Sequence, residues 1–110
     1  MSKFKVNYEM EISVKFHDKV KAMNYFQGDF KDYFWSISDM EEGAESVANQ
    51  FIHERNSYTK EIFLEGFGEF SRVKDKRDVW ENCKESQDTV GKITIELEND
   101  LEAIYTTEED

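Results

Sequence analysis

The residue types that carry most enzyme chemistry are sparse in this chain: two histidines, His17 and His53, and one cysteine, Cys83, in 110 residues. Local zinc ligands converge from spacings such as CxxC, HExxH or HxxxH, and none of these occurs. A serine or cysteine nucleophile needs a histidine base held by a third group, and no GxSxG elbow marks one. His53 lies beside Glu54 on the polar flank of an expected helix and His17 closes an expected strand, so both read as surface residues. Gly66-Phe67-Gly68 has two of the three glycines of a dinucleotide fingerprint, but it interrupts a strand pattern where the fingerprint must open a helix. Acid pairs such as Glu41 and Glu45 lack the DxDxDG loop of a calcium site. These residues predict no catalytic group, no metal site and no cofactor, and hence a protein that is not an enzyme.

Carboxylates are what remains: 25 Asp and Glu stand against 14 Lys and Arg, for a net charge of -11. The excess is patterned. Residues 1–38 and 71–92 carry +1 each, whereas 39–70 carry -6 and 93–110 carry -7. On a strand, Glu96 and Glu98 would stand about 6.8 Å apart, twice the ~3.4 Å rise per phosphate of one DNA strand. On a helix, Glu41 and Glu45 are neighbours at about 6 Å. Rows of carboxylates at such separations imitate a phosphate backbone to a protein with a Lys and Arg groove, although acids also serve simply to keep a small protein soluble. A chain this acidic is a poor ligand for nucleic acid or for an anionic membrane, so the expected partner is a basic protein.

The elements that must position these acids follow from periodicity. Phe4, Val6, Tyr8, Met10, Ile12, Val14 and Phe16 alternate with polar residues, which predicts one half-buried strand over Lys3 to Phe16, its even positions in the core. Met23, Phe26, Phe30, Tyr33, Phe34 and Ile37 fall at helical spacing broken by Gly28-Asp29, and Asp32 to Ser38 reads as a short aromatic strand. Ser38 with Glu41 has the form of a capping box opening a helix whose apolar stripe is Met40, Ala44, Val47, Ala48, Phe51 and Ile52, ended by Asn56-Ser57. Glu61 to Val73 is expected to be a strand with an irregular middle at Gly66 and Gly68, and 74–88 a long loop or a short helix. Thr89 to Glu98 alternates again, and Asn99-Asp100 suggests a hairpin turn before Leu101, Ala103 and Tyr105.

Together these predict a single α+β domain over 1–110, an antiparallel sheet of four to five strands with one amphipathic helix on one face, ending in an acidic tail at about 106–110. The lone cysteine cannot form an internal disulfide. Met1-Ser2-Lys3-Phe4-Lys5 lacks the apolar core of a signal peptide, and no run approaches the ~20 apolar residues of a membrane span, so the expected location is cytoplasmic. Lys outnumbers Arg 11 to 3 and Pro is absent, a usage that suggests an AT-rich gene such as those of many bacteriophages. In size, acidity and lack of catalytic residues the chain is similar to bacteriophage anti-restriction and anti-CRISPR proteins and to immunity proteins of nuclease toxins, a similarity of composition alone. It implies an inhibitor that occludes a nucleic-acid enzyme. Glu41, Glu42, Glu45, Glu96, Glu98 and Glu102 would then steer the encounter, and Trp35 or Trp80 would anchor it. The alternative is an assembly subunit that forms a homodimer through the edge of its long first strand.

Overall fold

The opening alternation folds as one strand of 14 residues, Lys3–Phe16. The computed structural model describes residues 2–55, 60–76 and 78–109. In chain order the elements are β1 (Lys3–Phe16), α1 (Lys19–Gln27), α2 (Asp29–Tyr33), α3 (Met40–Glu54), β2 (Glu61–Leu64), β3 (Gly68–Arg72), β4 (Val79–Asn82), α4 (Lys84–Val90) and β5 (Ile93–Glu109). The strands form one antiparallel sheet in the order β1-β5-β4-β3-β2. The α+β class is as expected, but the count of four to five strands and one helix is not an exact description. Register shifts break the long β1–β5 ladder into segments, and helices α1, α3 and α4 stand where one was anticipated, with α2 extending α1 past Gly28. No helix among the described residues is long and apolar enough to cross a membrane.

One sheet face is covered. Ile12, Val14 and Phe16 stand opposite Leu97, Ile95 and Ile93, Trp80 stands opposite Ile95, and Ile62 opposite Phe70, so apolar side chains from all five strands point the same way. The helices pack onto them, with Phe51 of α3 meeting the Trp80 ring at 4.7 Å and Phe26 of α1 meeting Phe16 at 5.8 Å. Phe26 meets both Phe30 and Phe67 edge-on, and those two rings contact each other at a tilt. Such pairs add about 0.5–1.5 kcal/mol each to the burial of their area. Beneath β4, the buried Asn82 donates from Nδ2 to Gly91 O (2.9 Å) and Ser86 Oγ (3.0 Å), and its Oδ1 accepts from Ile93 N (2.8 Å), tying β4 to α4 and the start of β5.

Local chemistry explains where elements begin and end, and where the sequence reading fails. Asp18 caps α1 by accepting from Lys21 N at 3.0 Å, and the Gly28 N–H closes it on Asn24 and Tyr25 carbonyls. The capping box of α3 sits one residue later than expected: Asp39 is the N-cap, accepting from Glu42 N at 2.8 Å, while Glu42 reaches back to the Ser38 N–H and hydroxyl. The expected helix stop at Asn56-Ser57 lies outside the described residues. Asp32 to Ser38 is not a strand, because its first two residues complete α2 and the rest is irregular. Glu61 to Val73 is a hairpin of β2 and β3, since Gly66 and Gly68 adopt φ of 85° and 92° and reverse the chain between them. A Cβ on Gly66 would also run into the Phe30 ring. The stretch 74–88 contains both β4 and most of α4.

The largest departure concerns the ends of the chain. Asn99-Asp100 makes no turn; β5 continues past it alongside β1 to Glu109, and the ladder absorbs the irregularity as register shifts. The expected tail is therefore strand up to residue 109. Because β4 pairs only with Thr94 to Glu96, the outer halves of β1 and β5 project as a two-stranded ribbon and stretch the molecule to 55 Å. Phe4, Val6 and Tyr8, expected in the core, are 60%, 40% and 60% exposed there, because none of the described helices covers them. Met10, Ile12, Val14 and Phe16 are half-buried against the core.

Candidate functional site: the open face of the sheet

Residues that alternate with the buried ones form the opposite face of the sheet, which none of the described helices covers. Pairing aligns Lys15, Thr94, Glu81, Ser71 and Glu61 in one row across all five strands, with neighbours about 4.8 Å apart. A second row holds Ser13, Glu96 and Val79, and Glu69, opposite Phe63, lies on the other side of the first row, where its carbonyl accepts from Cys83 N. Glu11, opposite Asn99, extends the face along β1. Glu98 is the extra residue where Ile12 meets Leu97 and Glu11 meets Asn99, and the Ser13 hydroxyl donates to its Oε1 at 2.8 Å, holding it over the same face. Six carboxylates, of Glu11, Glu61, Glu69, Glu81, Glu96 and Glu98, thus share a surface with Lys15 and with Lys92, whose ammonium lies 3.3 Å from Glu81.

The electrostatics record this crowding. A hydrogen bond between the carboxyl groups of Glu61 and Glu69, and then their mutual repulsion, raise the Glu69 carboxyl above its ordinary range. Diagonal like charges on one strand face destabilise both ionised forms, and a cation placed between them would relieve the strain. At the border of the face, His17 Nε2 and Thr94 Oγ1 lie 2.9 Å apart.

Not every acid singled out in the sequence belongs to this surface. Glu96 and Glu98 do. Glu41, Glu42 and Glu45 are exposed on α3, which packs on the covered face, so they lie across the sheet from Glu96 and Glu98. Glu42 is engaged within the chain: hydrogen bonds from the Ser38 hydroxyl and N–H hold its carboxyl below the ordinary range. Glu102 lies out on the ribbon opposite Glu9. Trp80 is not a surface anchor, being 1% exposed in the core with Arg72 stacked 4.5 Å from its ring. Trp35 is partly exposed on the helical side, edge-on to Phe30 at 5.0 Å, its indole N–H 3.4 Å from Ser46 Oγ. The acids that sequence reasoning passed over, Glu11, Glu61, Glu69 and Glu81, belong to four strands. Their signal was alternation with buried neighbours, as in Glu61-Ile62-Phe63-Leu64 and Glu69-Phe70-Ser71.

The residues with reactive side chains are dispersed. Cys83 borders a cleft of about 380 Å³ between the β2–β3 turn and α4, which neither His17 nor His53 lines. Among the described residues, no three His, Cys, Asp or Glu groups converge as metal ligands. What this geometry offers is a broad, acidic surface carried by the sheet. No family model, no curated protein and no solved structure matches the chain.

Proposed function

We propose that this protein is a small acidic inhibitor that occludes a basic partner, an enzyme that handles nucleic acid, with the open face of its sheet as the docking surface. The observation that supports this reading is the segregation of side chains across the sheet. Six carboxylates stand on one face and the entire apolar core on the other. Along β5 the residue spacing sets Glu96 and Glu98 about 6.8 Å apart, twice the ~3.4 Å rise per phosphate that a groove lined by Lys and Arg meets along one nucleic-acid strand. Action is by steric exclusion and electrostatic steering, with no bond made or broken.

The test uses charge reversal and a panel of purified nucleic-acid enzymes presented one at a time at low salt. Since Glu41 and Glu45 on α3 lie across the sheet from Glu61, Glu96 and Glu98, a rigid groove engages one set and not the other. Reversing Glu61, Glu96 and Glu98 to Lys should abolish capture and inhibition of the enzyme the parent binds. Reversing Glu41 and Glu45 should leave both intact. The association rate should fall steeply with added salt, because a screening length of about 10 Å at 0.1 M removes long-range steering first. If both variants bind as tightly as the parent at low salt, electrostatic occlusion is wrong and the acids serve solubility alone.

A further inference from the structure

We infer that two copies of this chain pair edge to edge through β1, antiparallel, about a twofold axis at Asn7. β1 is the outermost strand of the sheet, and among the described residues no strand lies beyond it. An edge of 14 residues presents a row of backbone donors and acceptors that invites another strand. The side chains of β1 specify which strand it is. Read from Lys3 to Glu11, the outer segment is Lys-Phe-Lys-Val-Asn-Tyr-Glu-Met-Glu, basic at one end, acidic at the other, and apolar at every second position.

An antiparallel partner centred on Asn7 sets each residue against the one equally far on the other side. Lys5 then faces Glu9 of the second copy, Lys3 faces Glu11, Val6 faces Tyr8, and Phe4 faces Met10. Every charge meets its opposite on one face and every apolar residue meets an apolar residue on the other. No neighbouring register does this. An axis at Tyr8 sets Asn7 against Glu9 and Lys3 against Ser13, one at Glu9 sets Glu9 on itself and Lys3 on Lys15, and one at Val6 sets Lys5 on Asn7. Odd registers put charged residues opposite apolar ones. Parallel in-register pairing stacks Lys on Lys and Glu on Glu.

Two features of the single copy are relieved by this pairing. Glu9 stands opposite Glu102 on β5, a like-charge pair, and Lys5 of the second copy supplies a cation on its other side. The projecting ribbon has two strands, which is marginal for independent stability, and pairing makes it four. Phe4, Val6 and Tyr8, exposed in one copy, gain apolar cross-strand neighbours, with Phe4 set beside a Met10 that already packs on the core of the second copy. The interface is isologous, as closed homodimers require. Its axis is perpendicular to the sheet, so the two acidic faces lie on the same side and form one longer surface. This inference stands apart from the identity of any basic partner.

Sedimentation or light scattering of the full chain, diluted from about 1 mM to 1 μM, covers weak to moderate association. The parent should pass from dimer to monomer within that range. Lys5→Glu sets Glu against Glu9 twice in the dimer, and Glu9→Lys sets Lys against Lys5 twice. Each should raise the dissociation constant about tenfold or more, equivalent to at least ~1.4 kcal/mol. An equimolar mixture of the two variants should associate again, because both cross-copy contacts become Glu–Lys pairs, and the double variant should recover the parental homodimer. The recovery also shows that each variant is folded. A parent that stays monomeric throughout, variants that dimerise as tightly as the parent, or a mixture that fails to associate would each overturn the proposal.

Discussion

Replacing Asn82 by Ala tests whether the sheet that presents the acidic face is held by the buried polar clamp beneath it. Asn82 is 3% exposed, and its side chain makes three hydrogen bonds, to Gly91 O, Ser86 Oγ and Ile93 N. Alanine removes all three and returns water to none of them, since Gly91, Ser86 and Ile93 are buried. Ser86 keeps its bond to the Phe67 carbonyl, so the groups left unpaired are the Gly91 carbonyl and the Ile93 N–H. At about 1–3 kcal/mol for each of the two stranded groups, the loss should be roughly 2–6 kcal/mol, a large part of the ~5–15 kcal/mol that holds a domain of this size. Urea unfolding followed by tryptophan fluorescence reads it directly, because Trp80 is two residues away and fully enclosed. Asn82→Asp refines the reasoning: it keeps the acceptor for Ile93 N but turns an ionised oxygen on the Gly91 carbonyl. Its deficit should therefore shrink as pH falls and the carboxyl protonates and donates. A loss below about 1 kcal/mol for Asn82→Ala, with an unchanged urea slope, would refute the clamp.

Core packing, helix capping and the crowded carboxylates are each open to a single substitution. Phe26→Ala should cost about 3–5 kcal/mol, whereas Phe4→Ser, measured at concentrations where the chain is monomeric, should cost about 0.5 kcal/mol or less; equal losses in chemical denaturation would mean that the ribbon is core. Asp39→Ala should remove about 1 kcal/mol by uncapping α3, and Ser38→Ala less; because Ser38 lowers the Glu42 pKa, its stabilisation is present above the ordinary carboxylate range and is lost as pH falls through the depressed value, so Ser38→Ala should move the Glu42 titration, followed by NMR, upward. Glu69→Gln acts with the opposite sign: the raised Glu69 pKa means that folding is penalised once pH rises through it, so the variant should be more stable than the parent near neutrality and equal to it in acid, as judged by thermal midpoints at the two pH values.

Some of this molecule was legible because the signal is local. The period of two from Phe4 to Phe16 identifies β1 without reference to any other residue, and the stripe of Met40, Val47 and Phe51 behind an acidic cap identifies α3 in the same way. Gly28 was legible as a break, since its position between two aromatic helical turns leaves little else for it to do. β4 was hidden because it is four residues long in a polar stretch, and Trp80 and Asn82 reveal their inward direction only when Ile95 and Phe70 stand beside them. The turn-like Asn99-Asp100 was overruled by a neighbour far away in the chain: β1 offers a template long enough to keep β5 extended past it.

The net charge of -11, the alternation and the charge order of β1, from Lys3 and Lys5 to Glu9 and Glu11, belong to the sequence by itself, because composition and short-range order need no folding to exist. Where the acids act together was decided by the tertiary structure. Glu11, Glu61, Glu69, Glu81, Glu96 and Glu98 come from all five strands, and only cross-strand pairing brings them onto one surface. The same holds for burial along β1. Phe4 and Phe16 occupy equivalent places in one pattern, yet a helix packs over one and none reaches the other, because the reach of α1 and α3 over the sheet is set by how the whole chain packs.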